Sequence, residues 1–440
     1  MTLAVISPVP YRGAPSPSYR HGYEEGYRQG LASGLQSYGR IFEGTSIIIP
    51  TYNQLHFLKK CLKSIEKYTD LPYEIIVVDN GSQDGTAAYL ESLGGRVRFR
   101  VLPANLGFSS AVNTGLMMAK GQYIVLLNND TLVTERWLRN MLMCLESHPS
   151  IGMVGPVTNY ISGEQRIRVP YRRVEDMPAF ARRHNITNPG LWRDTLWLRG
   201  YCMLFRRELF EELGYFDEGY ELGNFEDNDY NIRVRLAGRR LVIAGDTFIH
   251  HFGSMTVRSM AGTLRRTNVQ NEAYYLAKWG HADSWVGPVG AQVASLAGAV
   301  RPGLALYPEM VVVKGLGDAI YWIEGGQRHP VIGAVSVPVV PVTQVDLRRW
   351  PAGEPVPAGT VERRWRGLDD PSGWSASLAV LPDGTAYHVE AGVVRRIVSR
   401  VALESWRLHL KPPRAVTPEE LKQRPEGLPI IPLPIIRQAL

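Results

Sequence analysis

The chain is 440 residues long, room for two or three domains at roughly 150 residues each, and its 45% hydrophobic and 21% charged residues exclude disorder of the whole chain. The 49 Lys and Arg against 42 Asp and Glu leave a formal charge of +7, which suits a phosphate-bearing ligand or an anionic membrane surface and is too diffuse to indicate nucleic acid. Three scattered cysteines, Cys61, Cys144 and Cys202, exclude a disulfide scaffold and a zinc ribbon and favour a reducing, cytoplasmic compartment.

Residues 1–43 are rich in Pro, Ser, Gly, Tyr and Arg, carry no basic-then-apolar export signal, and read as a flexible extension. Within them Gly22–Gly30 repeats Gly-Tyr, either a short helix with a tyrosine stripe for a partner or a polar tail. From Ser46 the pattern changes. Short apolar runs at Ser46–Pro50, Glu74–Asp79, Val97–Leu102 and Tyr123–Leu127 alternate with helical spacing over Gln54–Tyr68, Thr86–Leu93 and Ser109–Ala119. This alternation predicts an α/β fold with a mostly parallel sheet covered by helices, and ligands at the carboxyl ends of its strands. Those ends carry Thr51 and Asn53, Asp79 and Asn80, and Asn128, Asn129 and Asp130, polar groups that a core would not choose. They are expected to form one site within a domain spanning 44–256, whose last strand is Leu241–Ile249.

Residues 257–304 read as a helical connector. Their longest apolar run, Trp285–Val300, is broken by Pro288 and falls short of the roughly 20 residues that cross a bilayer, so membrane contact is expected to be peripheral. Residues 305–440 turn to Val, Pro, Gly and Trp and predict a separate β-rich domain. Tyr321–Gly326 is echoed 66 residues on by Tyr387–Gly392, each beside arginines, which predicts two copies of a small hairpin unit. Such a domain could recognise a large acceptor or partner, and either terminal region could mediate an oligomer. The tail Gly427–Leu440 reads as an extended surface strap.

Four stretches carry candidate chemistry. Pro50-Thr51-Tyr52-Asn53 opens a helix whose N-terminus suits a diphosphate, with Asn53 as a plain cap the alternative. Asp79 ends a buried strand and could accept a hydrogen bond from a nucleotide base; Asp84 would cap the next helix. Asp130, at the tip of another apolar strand, could help hold Mg²⁺ or Mn²⁺ with substrate phosphates, and His250 or His251 could supply a second ligand. Glu226-Asp227-Asn228-Asp229 precedes the amphipathic stretch Tyr230–Ala237; Asp229 and Arg233 can pair at i and i+4, and the acids could place a general base at a cleft.

Together these motifs resemble the inverting glycosyltransferases of family 2, which have the GT-A fold. The resemblance runs from Ser46 to Thr256 and is carried by Ile49–Asn53, Asp79–Ser82 with Asp84–Thr86, Asn105–Phe108 with Asn113, Leu127–Thr131, Gly214–Glu218, Phe225–Asp227 and His250–Ser254. It implies that Pro50, Thr51, Tyr52 and Asn53 line a nucleotide pocket with Asn80 and Ser82, and that Asp79 binds the base. Asn105, Gly107 and Asn113 would sit near the ribose and diphosphate, with Asn128 and Asn129 beside them. Asp130 matches the last position of the family's metal-binding DxD motif, where this chain has Asn128 at the first. A histidine after the last strand, His250 or His251, would complete the metal shell. Asp227, next to Glu226, matches the usual base.

The resemblance therefore implies a divalent cation and a dTDP-, UDP- or GDP-sugar as donor, with a glycan, lipid-linked or protein acceptor. The QxxRW motif and membrane helices of processive members are missing, so single-sugar transfer in bacterial surface-glycan synthesis is expected. A sugar-phosphate nucleotidyltransferase would need a Gly-rich first loop where Pro50–Asn53 stand. A non-catalytic sugar-binding or structural protein would not need Asp130 and Asp227.

Overall fold

The computed structural model describes residues 21–22, 24–26, 28–29, 39–253, 261–296, 302–370, 374 and 376–438. Contact clustering gives two compact units, 1–42 and 43–440. In the first, the described residues between 21 and 29 are helical; Tyr23 and Tyr27, the expected tyrosine stripe, lie outside the described residues, as does Ser254.

The strands β1 (Phe42–Thr51), β2 (Tyr73–Asp79), β3 (Arg98–Val101), β4 (Gly121–Leu127), β5 (Thr131–Leu132), β6 (Ile151–Val157), β7 (Trp192–Thr195), β8 (Cys202–Arg206), β9 (Arg240–Phe248) and β10 (His250–His251) follow one another, all but Phe42 within the second unit. Eight of them form one mixed sheet in the order β3-β2-β1-β4-β8-β6-β9-β7, and β5 pairs with β10 apart from it. β1 and β2 are apolar on both faces because both faces are covered. Ile48 packs with Val112 and Leu116 of the helix Phe108–Met118, whereas Ile47 and Ile49 pack with Leu58 and Leu62 of the helix Leu55–Tyr68. The expected strands and helices of this half lie within two residues of their sequence positions, except that β1 begins four residues earlier, at Phe42. β8, which runs antiparallel to both β4 and β6, carries no signal that sets its place between them. The acidic run does not precede a helix but opens one, Glu226–Leu236.

The C-terminal region holds two further sheets. The first, β14-β11-β12-β13-β15, comprises β11 (Val311–Lys314), β12 (Ile320–Glu324), β13 (Gln327–Ile332), β14 (Val339–Pro341) and β15 (Val356–Pro357). The second comprises β16 (Leu378–Val380), β17 (Ala386–Glu390), β18 (Val393–Arg396) and β19 (Pro413–Ala415). β11 to β14 and β16 to β19 share one topology: three antiparallel strands, then a strand parallel to the first. Each unit continues into a short helix opened by a capping box, Thr343 with Asp346 and Thr417 with Glu420. Each also closes with a parallel contact, Val331 to Val356 and Ile397 to Ile430. The echoed hexapeptides are thus equivalent parts of a duplicated unit.

These sheets are not packed on their own. Ile232 and Leu236 of the helix Glu226–Leu236 share one core with Trp279, Val286, Val311, Ile323, Trp406 and Ile430. The tail is extended, as expected, but it is no surface strap: Ile430, Ile431 and Leu433 are buried. It then runs along the first half of the unit. Ile435 N–H donates to Asp217 (3.1 Å), its carbonyl accepts from Glu218 N–H (2.8 Å), and Gln438 donates to Ser110 O (3.0 Å) and to Glu218 (2.8 Å). Among the described residues no helix is long and apolar enough to cross a membrane.

Candidate active site

The carboxyl ends of β1, β2 and β4 converge on a cavity of about 860 Å³, lined among others by Thr51, Tyr52, Asn80, Asn129, Asp130 and Asp227. That is the size range of small-molecule sites. Asn129 donates to Thr51 Oγ1 (2.7 Å), tying the ends of β4 and β1. Asn80 is a hub: it donates to Asn105 Oδ1 (2.9 Å) and Gly107 O (3.0 Å) and accepts from Leu106 N–H (2.9 Å), so it fixes the turn 105–107. Gly107 has φ +92°, and a Cβ there would stand 3.3 Å from Leu222 N, so only glycine lets the two pocket loops approach. Asp79, fully buried, accepts from Ser82 N–H with Oδ1 (3.0 Å), and its Oδ2 has no partner. A buried carboxylate oxygen without a donor fits an N–H supplied by a ligand.

Three expected residues have other tasks. Asn113 is fully buried, donating to Phe216 O and Glu218 Oε1 (both 2.9 Å) and accepting from Phe216 N–H (2.8 Å); this corrects its placement near the ribose. Asn53, in the left-handed region, receives Gln83 N–H (2.9 Å) and gives its own N–H to Ser82 Oγ (2.7 Å), so neither it nor Ser82 lines the cavity. The helix Leu55–Tyr68 is capped instead by Asp84, which accepts from Leu55 N–H (2.8 Å) and also from Thr86 N–H (3.3 Å).

β10 pairs antiparallel with β5, His251 opposite Thr131 and His250 opposite Leu132. Successive strand residues face opposite sides, so the two histidines cannot serve one site. His251 lines the cavity with Nε2 3.2 Å from Asp130 Oδ1. His250 turns away, its Nδ1 2.7 Å from Tyr171 OH, and burial together with the neighbouring His251 pushes its pKa down to about 4. This removes His250 from the metal candidates. His251 Nδ1 lies 2.7 Å from Tyr160 O, a carbonyl that only accepts, so Nδ1 carries the hydrogen. Its buried Nε2 has no hydrogen-bond partner and faces the Asp130 carboxylate, a nitrogen and oxygen donor set of the kind a divalent ion takes. The two groups fit a divalent ion, although no group of three or more His, Cys, Asp or Glu gathers among the described residues. Asn128 and Asn129 supply oxygens nearby on the cavity wall.

Opposite charges meet no such need on the Asp227 side. Asp227 Oδ2 accepts from Gly200 N–H (3.0 Å) and Oδ1 from Asn228 N–H (2.8 Å). Burial raises its pKa, Arg199 works against that, and the group stays above the usual carboxylate range. Burial, then the charge of Asp227, pushes Glu226 up to about 8, and its Oε2 has no partner. The loop before this helix is held in unusual geometry: Leu222, Asn224 and Phe225 all have positive φ. Asn271 clamps it, accepting from Glu221 N–H (3.0 Å) and donating to Glu221 O and Gly223 O (3.0 and 2.9 Å). Arg199, Gly200 and Asn271 escaped the sequence reading; the only signal was a Gly beside Arg at the entrance to an apolar strand.

The family model for glycosyl transferase family 2 matches residues 46–214. This stretch is a family 2 glycosyltransferase domain. The chain is 32% identical over 196 residues to an uncharacterized glycosyltransferase, EpsJ, of Bacillus subtilis (strain 168), covering 42% of this chain and 54% of the relative, about half its length. It is 26% identical over 301 residues to the N-acetylglucosaminyl-diphospho-decaprenol L-rhamnosyltransferase of Mycobacterium tuberculosis, covering 61% of this chain and 93% of the relative. Among solved structures, a mannosyltransferase of Pyrobaculum calidifontis with GDP-Man and Mn²⁺ aligns at TM-score 0.37 and 22% identity, over 66% of this chain and 87% of that one. The fold of this part is GT-A, a mixed central sheet, and β-rich sheets are added C-terminally.

Proposed function

We propose that the chain is an inverting, non-processive glycosyltransferase that moves one hexosyl or deoxyhexosyl unit from a nucleoside-diphosphate sugar to a glycan, lipid-linked or protein acceptor in bacterial surface-glycan synthesis, at the cytoplasmic face of the membrane. One observation carries the reading: a half-buried carboxylate, Asp227, and the facing pair Asp130 and His251 line the same cavity. Asp79 Oδ2 would receive a base N–H, and the tied ends of β1 and β4 would hold the diphosphate. Asp130 and His251 would hold a divalent cation, which when bound stabilises the departing diphosphate. Asp227, held by Gly200 and Asn228 N–H, takes the acceptor hydroxyl proton as that oxygen attacks the anomeric carbon from the face opposite the leaving group. Glu226, with its raised pKa, keeps a proton near neutrality, so the pair carries one charge.

A hydrolysis and transfer assay over a panel of nucleotide sugars tests the reading, with dTDP-rhamnose included on the strength of the mycobacterial relative's name. Turnover of no donor would overturn it. For the metal, Asp130→Ala and His251→Ala should each weaken Mn²⁺ activation by more than the roughly 10–100-fold that losing an outer-shell partner costs, while His250→Phe keeps it. EDTA should abolish transfer and added Mn²⁺ restore it. Full activity of the His251 variant would remove that residue from the ion.

A further inference from the structure

The segment between β6 and β7 carries a run of arginines that the transferase reading does not use. Along Arg166-Ile167-Arg168-Val169-Pro170-Tyr171-Arg172 the side chains alternate: Ile167, Val169 and Tyr171 pack against the core, and Arg166, Arg168 and Arg172 are exposed. Alternation is what an extended chain with one covered face imposes. Arg173 follows, and Arg182 and Arg183 stand exposed on the helix Met177–His184. Of these six arginines only Arg173 has a carboxylate within ion-pair reach among the described residues, Glu175 at 3.5 Å.

The segment is fixed to the protein rather than hanging from it. Ile167 N–H donates to Thr158 O (2.8 Å), Tyr171 OH meets His250, and the Phe180 ring lies 5.8 Å from Tyr171 and 5.0 Å from Phe248. His184 reaches Gly245 O (2.9 Å) and Asn188 N–H reaches Asp246 (2.8 Å), so the whole stretch wraps the carboxyl end of β9. Two large apolar side chains stand in the open just after the helix, Ile186 at 61% and Leu191 at 45% exposure. Tyr160, Ile161 and Ser162, just before the ribbon, line the cavity.

We propose that this face docks the protein on an anionic lipid bilayer, with the arginines on headgroup phosphates and Ile186 and Leu191 entering the interface, so that the cavity mouth faces the lipid surface. Rows of unpaired guanidinium groups match phosphate oxygens bidentately. The exposed aliphatics favour a bilayer over a hydrated polyanion, which offers them nothing. Binding needs no turnover, so the proposal stands or falls separately from the reaction.

The full chain is mixed with phosphatidylcholine vesicles with and without phosphatidylglycerol and sedimented at low and high salt. Binding should require the anionic lipid and fall with salt. Each arginine near such a surface contributes about fivefold, so R166S/R168S/R172S should lower partitioning about a hundredfold, with nucleotide-sugar affinity unchanged as the check on folding. I186S/L191S should weaken the binding further. Equal binding to neutral and anionic vesicles overturns the proposal, as does wild-type partitioning by the triple variant. Soluble polyphosphate captured through these arginines, with no vesicle binding, also overturns it.

Discussion

Asp227→Asn is expected to lower kcat by roughly 10²–10⁴-fold while nucleotide-sugar affinity, read by calorimetry, stays at its wild-type value. The amide keeps the shape and can still accept from Gly200 N–H, but it cannot take a proton. The wild-type pH profile should carry the same signature. The base must be ionised, and its pKa lies above the usual aspartate value because of burial, so kcat falls as pH falls through that raised pKa and is flat above it. The acidic limb should vanish in the variant. Loss of nucleotide binding with normal turnover of the residual complex would instead assign Asp227 to the donor side.

Lys278→Met should be the most damaging single change to stability. Lys278, fully buried, lies between Asp217 and Asp229, 2.5 Å from the latter, and Trp279, Tyr220 and Arg233 complete the shell of Asp229. Burial pushes the Asp229 carboxyl up, and Lys278 and Arg233 outweigh it, so its pKa lies below the usual range. Its ionised form therefore stabilises the fold above the unfolded-state pKa, and that contribution is lost as pH falls through the lower folded value. Without Lys278 two carboxylates stay buried against one arginine, a loss of about 3–5 kcal/mol by urea denaturation at neutral pH. The deficit should shrink on acidification as Asp229 takes up a proton. A variant within about 1 kcal/mol of wild type would show that the charges find water or another partner.

Much of the first half was legible because its signals are local. Buried strands that end in Asp79 or just before Asp130 announce both the parallel sheet and the rim of the site, since an apolar core has no use for those carboxylates. The choice between His250 and His251 was not legible: it depends on the pairing of β10 with β5, a contact between residues about 120 apart in the chain, and alternation along a strand then decides it. Asn113 misled for a similar reason. An amide in a motif can serve ligand or scaffold, and its partners Phe216 and Glu218 are far along the chain. Lys278 carries no signal of its own in the sequence, and only tertiary packing places it between two aspartates. The hairpin echo was legible as sequence, whereas the equal parallel closures and capping boxes of the two units appear only in space.

The tail has a consequence for how the chain matures. Asp217 and Glu218 receive N–H groups from Ile435, Arg437 and Gln438, more than 200 residues downstream, and the same Glu218 holds Asn113 beneath the sheet. On the ribosome, the family 2 domain is synthesised long before the segment that satisfies these carboxylates. Until then the nascent domain carries two acidic groups short of these partners. These contacts are completed only when residues 435–438 emerge, so a chain cut short before them should leave Asp217 and Glu218 without three of their N–H donors and unfold at lower urea than the full chain.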